Sequence, residues 1–244
     1  MRLLACATAA ALVMGAFAVP AAAATSAYGY AWADGQGHLR LVPQKATRVK
    51  GTKFHRLASA AGVKELRLGY AKAAYGRVTT ACDLKETEGR VALDGNGLGR
   101  TRCTPSDLTA TLAQGPVPVR VEYRGGTATR INEILLDEWP EPRTATGTIK
   151  RVNDTTVLFA SGGKTVKLGS TYMTSFLRTT ARCGDGWLAG RPVNAGKNGL
   201  GKKACTWKDL TKALKTVKHP VLVKVDYTPG SGALNQVWEV YGDA

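Results

Sequence analysis

The second half of the chain repeats the first, and this repeat restricts the possible folds more than any other feature. Asn-Gly-Leu-Gly, Cys-Thr and Asp-Leu-Thr follow one another at residues 96–109, and the same residues recur with the same spacing at 198–211. A copy of about 100 residues is long enough to bury its own core, particularly with a disulfide bond. We therefore predict two homologous domains in tandem.

A proline-containing segment separates the two copies. Pro140 and Pro142 stand one residue apart, and proline restricts the backbone and cannot continue a helix. We place the boundary there and predict a first domain at residues 25–137, a linker at 138–144 and a second domain at 145–244.

The N-terminus has the pattern of a secretory signal peptide. Arg2 precedes an apolar run over residues 3–19, and three alanines at 22–24 offer a small-residue cleavage site. We expect residues 1–24 to be removed, taking Cys6 with them, and the protein to be secreted to the extracellular space. No later stretch is apolar for long enough to span a bilayer, so we predict no membrane span.

Four cysteines remain after the expected cleavage, and they are Cys82, Cys103, Cys183 and Cys205. Four cysteines in an exported chain favour disulfide bonds and allow three pairings. The repeat selects Cys82–Cys103 and Cys183–Cys205, because the other two pairings would join the copies to each other. Closing a loop of about 20 residues stabilises a fold by about 3 kcal/mol in the chain-entropy model.

One short helix is predicted in each copy, directly after the second cysteine. Thr104 stands at the N-cap position with Asp107 in the first turn, and Thr206 with Asp209 repeats this arrangement. In both copies two leucines follow at i, i+4 spacing, which is typical of a helix with one buried face.

Strands are predicted on both sides of the helix. Residues 117–123 and 221–227 alternate between valine or tyrosine and other residues, as a half-buried strand does. A third strand is expected over Arg77–Cys82 and again over Arg178–Cys183. The resulting order is three strands, a helix and two strands, which is the order of an OB-type five-stranded barrel.

The Gly-Thr-Ile opening at residues 147–149 and the late valine-rich strand resemble small OB-like domains that bacteria export. The resemblance implies a mostly β protein built of two tandem OB-like barrels, each with one short helix and one disulfide bond. Another small barrel or a sandwich with one helix per copy is the alternative. The first copy carries an extra segment at Lys50–Gly69, which we expect to form a short helix or a folded loop.

The chain is strongly basic, with 34 Lys and Arg against 18 Asp and Glu. The second copy has the larger excess: residues 145–244 contain 15 basic and 6 acidic residues, against 18 and 12 in residues 25–144. Such an excess favours association with anionic material, including cell-wall polymers, acidic glycans and nucleic acid. The alternative is a scattered positive surface that serves solubility.

Lysines and tryptophans gather around the predicted helix of the second copy. Lys208, Lys212 and Lys215 stand at i, i+4 and i+7, so they line one helix face. The candidate ligand-binding residues are Lys202, Lys203, Lys208, Lys212, Lys215, Trp187 and Trp207. A basic face beside aromatic rings suits polyanions, among which we favour an anionic cell-wall or extracellular polymer over single-stranded nucleic acid. The alternative is that the lysines are only solvated and that Trp207 covers the core.

No recognised catalytic motif occurs in the sequence, and we expect a protein without enzymatic activity. The cysteines and the three histidines lack the spacing of metal ligands, so neither a metal site nor a cofactor is predicted. Asn-Gly-Leu-Gly is interpreted as turn geometry rather than a phosphate-binding loop. The alternative function is a protein-binding module, such as a secreted protease inhibitor that acts on an extracellular protein through its disulfide-closed loops.

Overall fold

A computed structural model describes residues 24–242 of the chain. The predicted signal peptide, with Cys6, lies outside the described residues except for Ala24. The first half contains β1 (Thr25–Ala33), β2 (His38–Arg48), β3 (His55–Ser59), β4 (Leu66–Gly69), β5 (Ala74–Arg77), β6 (Thr101–Cys103), α1 (Pro105–Leu112), β7 (Val117–Arg124) and β8 (Thr127–Glu133). The second half contains β9 (Arg143–Arg151), β10 (Thr156–Ser161), β11 (Lys164–Arg178), β12 (Lys203–Thr206), α2 (Trp207–Lys215), β13 (Val221–Thr228) and β14 (Ala233–Glu239).

The second half closes into a five-stranded barrel. Its strands pair around a ring in the order β9, β10, β11, β14 and β13, and β13 returns to β9. All pairs in the ring are antiparallel except β11 with β14, which run parallel. The predicted OB-like fold is thereby confirmed, with α2 between β11 and β13, which are the third and fourth barrel strands in chain order.

The first half has the same strand order but a less complete ring. β2, β1, β7 and β8 pair in sequence, and the place of the single strand β11 is taken by two short strands, β4 and β5. β4 pairs with β2 on one side, but it meets β8 only at the pair Gly69 and Thr127. The ring is therefore joined there by a single residue pair, whereas in the second barrel the continuous strand β11 pairs with β10 through its first part and with β14 at five positions.

Three details differ from the predictions. The prediction of a third strand over Arg77–Cys82 is wrong, and so is that of its counterpart over Arg178–Cys183. β5 ends at Arg77 and β11 ends at Arg178, the residues with which those segments begin. The extra segment at Lys50–Gly69 forms β3 and β4 instead of the expected short helix or folded loop. β9 begins at Arg143, two residues before the second domain was expected to begin; the domain limits themselves stay a prediction.

Each barrel is filled by the apolar residues that the strand and helix patterns indicate. Val119 and Val121 of β7 are fully buried against Leu108 of α1, and the second core is built in the same way. Burying a side chain of this kind contributes about 1.5–3 kcal/mol. The repeated alternation therefore specifies two separate hydrophobic cores.

Both disulfide bonds are present in the predicted pairing. The Cα atoms of Cys82 and Cys103 lie 5.6 Å apart, and those of Cys183 and Cys205 lie 5.5 Å apart. Each bond joins the strand that precedes the helix to the segment that follows β5 or β11. In the part of the chain that the structure describes, each barrel thus has one helix and one disulfide bond, as expected.

The two barrels contact each other through strand β1 and the loop before β14. The indole Nε1 of Trp32 donates to the carbonyl of Ser231 at 2.8 Å, and a Cβ on Gly169 would lie 2.4 Å from the Trp32 ring. Glu65 of the first half pairs with Lys167 of the second at 2.5 Å. No helix within residues 24–242 is long and apolar enough to cross a membrane.

Candidate binding surfaces

The repeated Asn-Gly-Leu-Gly segment is a turn whose glycines are required by the backbone. Gly97 and Gly199 have φ of 77° and 73°, which side chains rarely tolerate. A Cβ on Gly99 would lie 2.5 Å from the carbonyl carbon of Arg77, and one on Gly201 would lie 2.3 Å from the carbonyl oxygen of Leu177. These contacts support the interpretation of the segment as turn geometry.

A buried arginine holds the disulfide loop of the second barrel from inside. Arg178 is fully buried and donates to the carbonyl oxygens of Cys183 at 2.9 Å and Asp185 at 2.6 Å. Its guanidinium also pairs with Glu239 at 3.0 Å, and both side chains are wholly enclosed. Glu239 accepts a further hydrogen bond from the backbone N–H of Leu188 at 2.8 Å. The loop is therefore a fixed part of the barrel.

The first barrel contains the same device, which the sequence reasoning missed. Arg77 donates to the carbonyl of Leu84 at 2.8 Å and pairs with Glu133 at 3.2 Å. A signal was present in the sequence, because an arginine precedes the first cysteine of each copy by five residues. Buried Arg–Glu pairs of this kind explain why the third strand stops at the arginine: the side chain turns inward and the backbone folds back around it.

The helix lysines line an exposed face, as predicted. Leu210 and Leu214 of α2 are buried, whereas Lys208, Lys212 and Lys215 are exposed. The amine of Lys215 lies 3.0 Å from Asp154, and hydrogen bonds from Arg151 and Lys215 hold the pKa of that carboxyl below its ordinary value. The remaining two amines have no carboxylate within 4 Å in the described part of the chain. We call Lys208 and Lys212, together with Trp207, the lysine face.

The two tryptophans of the candidate set have different surroundings. Trp207 begins α2 and is half-buried, with the amine of Lys208 5.9 Å from its ring. Trp187 stacks on Phe176 at 5.7 Å and packs against the second core. Trp187 is therefore mainly a core residue, and only Trp207 remains beside the lysines.

Lys203 begins the strand that leads into the helix, and Lys202 directly precedes it. The backbone N–H of Lys202 donates to the carbonyl of Arg178 at 3.1 Å, and Lys203 is the β-pairing partner of Arg178. Their positions are set by the sheet, so they belong to the barrel edge rather than to the helix face. Of the five candidate lysines, the structure places three on one helix.

The first barrel carries a basic surface that the sequence reasoning also missed. Two adjoining clefts of about 590 Å³ each lie on its outer face and share Asp94 and Arg130. We call them the arginine groove, and its cationic residues are Arg48, Arg100, Arg102, Arg120 and Arg130. These residues come from different strands and from the Asn-Gly-Leu-Gly turn, so no local sequence pattern connects them.

Each disulfide bond lies beside the carboxylate that caps its helix. The sulfur atoms of Cys183 and Cys205 lie within 4.8 Å of an oxygen of Asp209, but sulfur in a disulfide bond is not the thiolate that metal ions require. Asp209 instead accepts from the N–H and the hydroxyl of Thr206 at 3.0 and 2.7 Å. Burial raises the pKa of Asp209, but these hydrogen bonds outweigh it and the pKa lies below its ordinary value.

Comparison with known proteins identifies no relative. No protein-family model, no curated protein and no solved structure matches the chain significantly. The function therefore has to be inferred from the surfaces described above.

Proposed function

We propose that the protein is an exported, non-enzymatic binding protein that contacts anionic extracellular or cell-wall polymer through the lysine face of its second barrel. One observation carries the proposal. Lys208 and Lys212 stand one helical turn apart on an exposed face, and neither amine has a carboxylate oxygen within 4 Å in the described residues. Amines at this spacing present two charges to one strand of a polyanion.

The surroundings of the lysine face support this function. Lys215 is held by Asp154, and Thr211 donates to the carbonyl of Asp154 at 2.8 Å, so the helix is anchored to the turn between β9 and β10. A rigid helix loses little conformational freedom when a polymer binds. Trp207 is partly exposed beside the amines, and an indole ring can pack on a sugar ring.

Two further properties support export and a polyanionic partner. Disulfide bonds are typical of proteins that work in oxidising compartments outside the cytosol, and both barrels contain one. The chain carries a formal net charge of +16, which raises the local concentration of anions around it.

Affinity for heparin and for purified cell-wall polymer tests the proposal. Lys208→Ala with Lys212→Ala is expected to weaken binding about tenfold at low salt and to reduce the slope of log affinity against log salt by about two. Lys72→Ala with Lys164→Ala is the matched control, since both lysines are exposed and the same charge is removed. The control is expected to lose much less affinity.

Two outcomes would contradict the proposal. An equal loss in both double variants would show that binding depends on net charge and not on the lysine face. Capture of a protein that persists at high salt, and is abolished when the loop between Cys183 and Cys205 is cut, would instead identify the second barrel as a protein-binding module of the inhibitor type.

A further inference from the structure

The arginine groove of the first barrel has the properties of a second anion site. Its first cleft is bordered by Arg100, Arg102 and Arg130, all exposed. None of these three guanidinium groups has a carboxylate oxygen within 4 Å among the described residues. Three unneutralised guanidinium groups around one concavity repel each other, and an anion bound between them would remove that repulsion.

The carboxylates of the groove are already engaged. Asp94 accepts from the backbone N–H groups of Asn96 and Leu98 at 2.8 and 2.9 Å, which uses it to build the turn. Glu122 pairs with Arg120 at 2.5 Å. With five arginines and two carboxylates, the groove carries a net charge of +3.

The second cleft is lined by a buried histidine, His55, with a ring nitrogen that has no hydrogen-bond partner. Tyr28 and His55 face each other there with ring centroids 5.7 Å apart. His55 is only 4% exposed, and its Nδ1 has no hydrogen-bond partner. Burial and the neighbouring Arg48 lower the pKa of His55, so its ring is neutral at neutral pH and adds no further charge to the arginines.

All cations of the groove are arginine, although the chain has equal numbers of lysine and arginine, 17 of each. Arginine presents a planar fork of donors that matches the oxygens of phosphate or carboxylate in pairs, whereas lysine acts as a point charge. A set made of arginine alone therefore points to recognition of oxyanions with a defined geometry.

The arginines of the groove are not repeated in the second barrel, although the frame is the same and Lys202 keeps a cation at the position of Arg100. The positions of Arg102 and Arg130 are taken by Ala204 and Gln236 in the repeat, and that of Asp94 by Gly196. Lys224 replaces Arg120, and its amine lies 5.7 Å from the ring of Trp238. The arginines are thus not needed to build this barrel.

We propose that the arginine groove binds phosphate groups of an extended, phosphate-rich polymer. A phosphate group directs its oxygens tetrahedrally and can serve all three guanidinium groups of the first cleft, whereas a carboxylate offers two oxygens in one plane. The second cleft continues the groove past Arg130, so a chain with several phosphates fills it better than a single ion. This site lies on the other barrel and does not depend on the lysine face.

Titration calorimetry with tripolyphosphate tests the site in the full chain. Arg102→Ala with Arg130→Ala is expected to weaken binding at least tenfold, while Arg90→Ala with Arg124→Ala, which removes the same charge outside the groove, is expected to change it less than twofold. Lys208→Ala with Lys212→Ala is expected to weaken tripolyphosphate binding less than Arg102→Ala with Arg130→Ala does. Inorganic phosphate is expected to bind more weakly than tripolyphosphate, and polyglutamate more weakly at equal charge.

Three results would overturn the proposal. Equal losses in the two arginine double variants would show nonspecific attraction. Loss of tripolyphosphate binding in the lysine variant alone would place the phosphate site on the second barrel. Equal affinity for polyglutamate would show that the groove does not distinguish phosphate from carboxylate. Because the substituted arginines are exposed, unchanged thermal unfolding of the variants is the control for folding.

Discussion

The two barrels share the features that hold their frame and differ on their surface. The disulfide bond, the capped helix, the close-packed glycine turn and the buried Arg–Glu pair occur in both copies. The lysine face occurs only in the second barrel and the arginine groove only in the first. These four features hold the frame in both copies, so binding is to be sought where the copies differ.

The largest effect on stability is expected from the buried ion pairs, which are buried to different degrees in the two barrels. Glu239→Ala leaves Arg178 buried without its partner and is expected to lower the free energy of unfolding by about 3–5 kcal/mol. Glu133→Ala is expected to cost less, because the side chains of Arg77 and Glu133 retain 8% and 6% exposure whereas the second pair has 0%. Denaturant unfolding under non-reducing conditions measures both.

Glu141→Ala is the control for these variants, since that carboxylate is exposed in the connection between the barrels. It is expected to change stability by less than about 0.5 kcal/mol. If Glu133→Ala destabilises the protein more than Glu239→Ala does, the degree of burial of the ion pair does not determine how much it contributes to stability.

A smaller effect is expected at the glycine turn, and it should be the same in both barrels. Gly201→Ala and Gly99→Ala each force a Cβ against backbone atoms 2.3–2.7 Å away, so each is expected to destabilise by about 1–3 kcal/mol. Gly184→Ala and Gly95→Ala are the matched controls, because nothing lies within 4 Å of a Cβ at either position. If thermal unfolding shows only one of the two alanine variants to be less stable than its control, the two turns do not contribute equally to stability.

The smallest effect concerns the helix caps and depends on pH. The folded-state pKa of Asp209 lies below its ordinary value, so its contribution is present above that value and is lost as pH falls through the lowered one. Asp209→Asn is expected to cost less than about 1 kcal/mol at pH 7. The difference in unfolding free energy between this variant and the parent protein should shrink below about pH 4.

Asp107→Asn sharpens the comparison of the caps. Hydrogen bonds from the side chain and backbone of Thr104 lower the pKa of Asp107 in the same direction, so the same pH trend is expected in the first barrel. Unfolding curves of the two variants and the parent protein, recorded between pH 2.5 and 7, measure it. A difference from the parent that grows on acidification would contradict the role assigned to these carboxylates.

Local patterns predicted most of the frame and only part of the candidate sites. Thr104 and Asp107 correctly predicted the start of α1, because a helix cap is formed by residues only three positions apart in the sequence. The third strand was wrong, since the inward turn of Arg178 depends on Glu239, 61 residues away. Trp187 was assigned to a binding face because its packing on Phe176 and the second core leaves no local pattern in the sequence.

The sequence by itself determined the duplication, the disulfide pairing and the capped helices, because each follows from neighbouring residues or from the repeat. Only the tertiary structure decided how the rings close, which arginines are enclosed and which are exposed, and that Arg102 and Arg130 border one groove. Such contacts join residues far apart in the chain. They arise only when packing of the two cores has fixed the strands relative to each other.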